Sequence, residues 1–240
     1  MPETENQSIG KVIKVSGKVT LSGESGVKAV KTGDLIHKGD MLVTSDKSSV
    51  QIEFTDKTRV AIAENSQAEI DDYVFDQDQA NAGSFLMDIS RGAMRCVSGQ
   101  IAEQNPDGFN VDTPLATIGI RGTIFGVRLE DTGEADFWVE DLGEGHRVIF
   151  RDQQGRVRII TQSNDGFSMV EGENIIKAPS LDLEQIKFLS RQMPILENSP
   201  EENSQEDNEG KNENQDTDDE ENSDEQSDDN NQQENDEDGE

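Results

Sequence analysis

Apolar and polar residues alternate in short runs, and turn residues break those runs roughly every 8–12 positions; no other feature of this chain constrains its fold as much. Val50, Ile52 and Phe54 alternate with Gln51 and Glu53 before Thr55-Asp56-Lys57-Thr58 turns the chain into Val60 and Ile62. Phe85, Met87 and Ile89 follow the same rule, as do Ile118 and Ile120, Phe137 and Val139, and Val148 and Phe150. Successive side chains of a strand point to opposite faces, so each run presents one apolar face. Such faces must be stacked to be buried. The reading is an all-β, elongated domain, built as either a sandwich or a solenoid.

The punctuation carries its own chemistry. Gly-Asp occurs at Gly33-Asp34 and again at Gly39-Asp40, each time ahead of apolar residues. Glycine accepts a left-handed turn, and the aspartates are expected to bond the backbone two residues on. Asp76-Gln77-Asp78-Gln79-Ala80-Asn81 reads as a surface loop, and Gln104-Asn105-Pro106-Asp107-Gly108 as a strong turn. Gly92 reads as a turn, after which Met94, Cys96 and Ile101 follow in the β pattern. One segment departs from the β pattern. Ser180 can cap a helix in which Leu183, Ile186, Leu189 and Met193 share a face, with Pro194 ending it.

Charge divides the chain into a body and a tail. Of 52 acidic and 21 basic residues, residues 197–240 hold 21 and one respectively, which leaves the first 196 residues a net charge of −11. That tail has no apolar side chain to offset an ordering cost of about 1–2 kcal/mol per residue. The expected organisation is a flexible start over residues 1–8, a β domain over 9–178, a helix over 179–196, and a disordered acidic tail over 197–240. The tail's acidic spacing matches no dedicated calcium loop, which leaves only weak divalent-cation binding open. A single cysteine, Cys96, excludes an intramolecular disulfide. No apolar run reaches the ~20 residues of a membrane helix, and the opening Met1-Pro2-Glu3-Thr4-Glu5-Asn6 lacks the basic and apolar regions of a Sec signal. No membrane insertion is expected. Two locations stay open: the cell envelope reached by a route other than Sec, or the cytoplasm.

Candidate chemistry is sparse. His37 and His146 are the only histidines, and neither stands at a metal-ligand spacing from Cys or the other His. No nucleophile elbow accompanies a serine, so no catalytic, cofactor or metal residue is assigned. Cys96 reads as a small buried hydrophobe. Trp138 reads as a core residue or as an exposed interface anchor. The body is net negative and has no basic patch interleaved with aromatics, so nucleic acid is not an expected partner. The informative block is Thr113-Pro114-Leu115-Ala116-Thr117-Ile118-Gly119-Ile120-Arg121-Gly122-Thr123-Ile124-Phe125-Gly126-Val127. Pro114 keeps Thr113 out of helical geometry. Arg121, set between Gly119 and Gly122, reads as an arginine pairing an acidic neighbour or bonding carbonyls at a tight corner, or as a recognition residue. The segment Thr123 to Leu129 reads as offering a sheet edge or a flat apolar face to a partner.

Three blocks resemble the FecR-like domain, an all-β module of bacterial envelope proteins. They are Gly33-Asp34 through Thr44, the hairpin Ser49 to Ile62, and Phe109 to Val127, within a resemblance spanning Ile9 to Val170. At the hairpin turn the family carries Asp-Gly where this chain has Asp56-Lys57, so a longer turn is expected. The resemblance implies a non-catalytic protein-interaction, scaffolding or signalling module of the envelope, with a protein partner and no cofactor. Its interaction or structural signature is Thr113, Pro114, Gly119, Arg121, Gly122, Thr123 and Phe125. The best-known members add a sigma-factor-binding region and a membrane helix, features not seen in this sequence, so iron-transport signalling is not carried over. The first half also resembles the amino-terminal retention module of type I-secreted adhesins, which implies a secretion or retention element as the alternative.

Overall fold

A computed structural model describes residues 7–79, 82–105 and 107–193 of the chain. The expected acidic tail, residues 1–6, Ala80 and Asn81 of the surface loop, and Pro194 lie outside the described residues, as does Pro106 of the second turn.

The first half of the domain supplies β1 (Gly10–Ser16), β2 (Val19–Gly23), β3 (Gly26–Ala29), β4 (Leu35–Ile36), β5 (Met41–Thr44), β6 (Ser49–Phe54), β7 (Arg59–Ile62) and β8 (Gln67–Val74). A long strand, β9 (Ser84–Val97), and a short helix, α1 (Gln100–Gln104), follow. The second half supplies β10 (Phe109–Asp112), β11 (Ala116–Ile120), β12 (Thr123–Leu129), β13 (Glu134–Leu142), β14 (Val148–Asp152), β15 (Val157–Ile160) and β16 (Asp165–Val170), and α2 (Leu183–Gln192) closes the domain. Ile101, expected in a strand, lies instead in α1. It is fully buried there, because Asp56 accepts the Ile101 N–H and the Asp56 carbonyl accepts that of Gln100.

Two sheets share β9. One sheet, A, runs β4-β1-β6-β7-β9-β12-β13-β16, antiparallel throughout. The other, B, runs β3-β2-β5-β8-β9-β10-β11-β14-β15, with the β9–β10 pair parallel. Ser84 to Arg91 of β9 pair within sheet B, and Gly92 to Val97 pair within sheet A. The crossing sits at Gly92, whose φ of +82° belongs to the left-handed region. A Cβ there would collide with Ser66, whose hydroxyl accepts the Ala93 N–H at 2.9 Å.

Rings from the two sheets meet in the space between them, as expected of an all-β domain with stacked apolar faces. Phe54 of sheet A stacks on Tyr73 of sheet B at 5.6 Å and meets Phe85 edge-on at 5.1 Å. Phe137 and Phe167 of sheet A surround Phe150 of sheet B at 5.6 and 5.0 Å. The alternation read from the sequence is this inner face.

Two turns differ from expectation. Asp34 and Asp40 each accept a backbone N–H three residues back, from Lys31 and His37, rather than two residues on. The glycine before each takes the left-handed turn, and that folds the loop back onto the carboxylate. The Thr55–Thr58 turn is longer than two residues, as expected, and Lys57 takes the family glycine's conformation at φ +71°. Asp56 fixes it there, accepting the Thr58 N–H and hydroxyl at 3.1 and 2.7 Å.

The helix α2 lies on the outer face of sheet A. Ile186, Leu189 and Met193 pack with Ala93 and Trp138, while Leu183 is half exposed. Burying the three aliphatic side chains supplies about 1.5–3 kcal/mol each. The cap is Asp182, not Ser180. Its carboxylate accepts the Gln185 N–H at 2.8 Å while the Gln185 side chain accepts the Asp182 N–H at 2.8 Å. Ser180 is occupied elsewhere, accepting from Arg158 and bridging to Phe167 of β16.

Candidate functional site

The signature residues divide by role. Thr113 is buried, and its hydroxyl oxygen accepts the N–H groups of Leu115 and Ala116 at 3.2 and 2.9 Å while donating to the Ala116 carbonyl at 2.8 Å. It holds the turn into β11. Pro114 is exposed, and its carbonyl accepts from Gln153 at 3.3 Å. Thr123 is buried, its N–H donating to the Ser98 hydroxyl at 2.8 Å and its hydroxyl donating to the Asp141 carbonyl. Phe125 lies in the core opposite Cys96. Gly122 has φ +58° beneath the His146 ring, whose Nδ1 is 3.0 Å from the Gly122 carbonyl. The expected sheet edge at Thr123–Leu129 is not there. This segment is β12, bonded to β9 on one side and β13 on the other, so its backbone groups are already paired.

Gly119 and Arg121 belong to something else. On the outer face of sheet B they line a shallow cleft of about 170 Å³ together with Arg147, Arg151, Asn110 and Thr117. Register builds it: Thr117 lies opposite Arg151, Gly119 opposite Ile149, and Asn110 opposite Gly119. Arg121 is half buried, whereas Arg147 and Arg151 are exposed. Among the described residues none of these guanidinium groups has an ion pair or hydrogen bond, so the expected structural pairing of Arg121 is not made. Asp107 is the cleft's one acidic lining residue. Gly119 is not in the left-handed region, and an added Cβ would meet nothing closer than Asn110 Oδ1 at 3.5 Å. Packing does not demand glycine at this position; its bareness keeps the cleft floor open.

An acidic bank adjoins the cleft. Asp112 lies opposite both Asp88 and Thr117, and Asp88 opposite Glu69. Burial first, and then the charges of Asp71, Asp112 and Glu69, push the Asp88 carboxyl above its ordinary range. Burial and the Asp112 charge do the same to Asp71. Among the described residues Asp112 Oδ1 has no hydrogen-bond partner.

Outward arginines behave differently on sheet A. Arg95 holds Glu140 in a fork, Nε to Oε1 and Nη2 to Oε2, both at 2.7 Å, and the Trp138 indole donates to Oε1 at 3.1 Å. Burial drives the Glu140 carboxyl upward, but Arg95, the Ser190 hydroxyl and Trp138 together bring it below its usual range. Of the two readings open for Trp138, the core residue holds: it is fully buried beneath α2. Burial raises the Cys96 thiol far above its ordinary value, which makes it inert as a nucleophile. Among the described residues no group of three His, Cys, Asp or Glu side chains could hold a metal ion. Sequence reasoning misses Arg147 and Arg151. The alternation of Val148 and Phe150 marks Arg151 as outward, but only the β11–β14 register sets it beside Gly119.

Residues 40–141, from the second Gly-Asp turn into β13, match the family described as FecR protein. The cleft's Asn110, Thr117, Gly119 and Arg121 fall inside the matched residues. Two crystal structures of a candidate anti-sigma factor from Parabacteroides distasonis, at 1.65 and 2.50 Å, are similar at 15% identity with TM-scores of 0.46 and 0.47. The similarity covers 61% of this chain and 62% of theirs. A structure described as a cell surface anchoring domain is 36% identical over 26% of this chain and 84% of its own, with a TM-score of 0.25. No curated protein matches the chain. Among the described residues no helix is long and apolar enough to cross a membrane.

Proposed function

We propose that this chain is a non-catalytic, FecR-like recognition module that binds a protein partner in signalling at the bacterial envelope. The match of residues 40–141 to the FecR family carries the reading. The β body is the recognising element: its two sheets are tied through β9, and among the described residues no helix covers the outer face of sheet B at β11 and β14. The signature's remaining residues serve that face, Thr113 and Gly122 by fixing the turns at the two ends of β11.

Photo-crosslinking in intact cells tests this. A crosslinking amino acid placed at Gln153 or Ile149 should join the chain to one defined envelope protein, and the same residue at Lys28 of β3 should not. Fractionation of the same cells should place the product with the envelope. Products spread over many unrelated proteins, or turnover of an ester, phosphate or glycoside by the purified chain, would overturn the reading.

A further inference from the structure

We infer that the cleft on sheet B binds an extended segment bearing acidic side chains, and that the Arg121, Arg147 and Arg151 guanidinium groups recognise its carboxylates. The inference rests on the proposed recognition role and names its chemistry. Arginine is held in folded proteins largely by anions, because its planar fork fits a carboxylate with two parallel hydrogen bonds. This domain satisfies that need elsewhere: Arg59, Arg95, Arg128 and Arg156 each pair with an acidic side chain. The cleft gathers Arg121, Arg147 and Arg151 with no partner of their own among the described residues, in a body of net charge −11 where carboxylates are plentiful.

The geometry favours a strand-like ligand over a single small anion. From Thr117 beside Arg151 to Arg121, just past the end of β11, the cleft follows the chain for four residue steps, or about 13 Å at ~3.3 Å per residue. One oxyanion cannot reach both ends, whereas acidic residues at alternate or every fourth position of an extended segment can. Gly119 lies midway, and its missing side chain lets the ligand backbone approach the sheet. Asn110 and Thr117 offer polar groups beside it. The acidic bank of Glu69, Asp71, Asp88 and Asp112 begins one strand away, so a polyanion running past the cleft meets like charge. That rejects nucleic acid and selects a segment whose acidic residues are few and local. Bulk repulsion is weakened beyond a Debye length of about 8 Å at physiological salt, so the contact depends on these short-range pairs.

The probe is a capped Ser-Glu-Ser-Glu-Ser peptide, titrated into the full chain and followed by amide chemical shifts. Saturable binding is expected, with the largest shifts at Gly119, Ile149 and Arg151. Arg121→Gln and Arg151→Gln should each weaken it about tenfold, and Gly119→Val, which fills the floor without entering the core, should abolish it while circular dichroism stays unchanged. The Gln-for-Glu peptide should not bind. The inference is overturned if the peptide fails to saturate, if the substitutions leave its affinity unchanged, or if inorganic phosphate or a single-stranded oligonucleotide takes the cleft in its place. A defined crosslinked partner whose capture ignores Gly119→Val would leave the recognition role standing and refute the cleft as its seat. Peptide binding with no cellular partner would do the reverse.

Discussion

The outer faces of the two sheets carry the same residue type to opposite ends. On sheet A, the outward Arg95 is forked onto Glu140, capped by Trp138 and covered by α2. On sheet B, the outward Arg121, Arg147 and Arg151 stand beside a glycine and are unpaired among the described residues. Charge does not distinguish them, since all are guanidinium groups on or beside strands. Coverage does. Where a helix excludes water, an arginine must bring its own counter-charge; where nothing covers the sheet, it can wait for one.

The comparison breaks most severely at Trp138. It is fully buried against Ile186, Leu189 and Met193, so Trp138→Ala should cost about 3–5 kcal/mol and detach α2 from the sheet. Urea denaturation with hydrogen exchange read on residues 183–192 measures both. A loss below about 1 kcal/mol would mean that α2 does not hold this face closed.

Glu140→Gln tests the pairing itself. The Arg95 and Glu140 side chains are 14% and 16% exposed, so the arginine would be left without a counter-charge in a water-poor site, at about 2–4 kcal/mol. The sign with pH follows. A carboxyl held below its ordinary value of 4.5 contributes stability above that value and loses it as pH falls through the folded-state pKa. Wild-type stability should therefore drop in acid below about pH 4.5, and the Gln variant should lack that part of the drop. A variant that loses stability in acid as steeply as wild type would show that another group governs the transition.

Gly122→Val probes the corner between the two faces. The φ of +58° and the His146 ring both oppose a branched side chain, at an expected cost of about 1–3 kcal/mol. Arg121→Ala, one residue away, should cost less. If the ranking inverts in thermal melts, Arg121 serves the fold and not the cleft.

The all-β class is legible because each inner face repeats every second residue, as at Val50, Ile52 and Phe54. The helix is legible from Ile186, Leu189 and Met193, but its cap is not, since Ser180 and Asp182 are both good caps and only the fold ties Ser180 to Arg158 and β16. The crossing of β9 is hidden. Gly92 reads as an ordinary turn, and nothing local says that the strand on either side belongs to different sheets. The cleft is half legible. Gly119 and Arg121 stand out in one contiguous block, whereas Arg147 and Arg151 reach it through long-range pairing that periodicity does not encode. The edge expected at Thr123–Leu129 fails for the same reason: low charge marks a buried strand as readily as an open one.

The smallest effects belong to sheet B, and their smallness separates the two faces. Arg121→Gln, Arg147→Gln and Arg151→Gln each remove a charge that bonds nothing among the described residues, so stability should change by no more than about 0.5 kcal/mol. Asp88→Asn should go further and raise stability at neutral pH. Burial and the neighbouring Asp71, Asp112 and Glu69 charges oppose its ionised form, so its folded-state pKa is raised. A raised carboxyl destabilises the fold above that pKa, and the penalty fades as pH falls through it. The variant's advantage should accordingly be present at pH 7 and vanish in acid, opposite in sign to Glu140→Gln. Paired urea curves at pH 7 and pH 4 read both substitutions. If Asp88→Asn destabilises at pH 7, a favourable contact holds the acidic bank, and the uncovered face of sheet B supports folding just as the covered face of sheet A does.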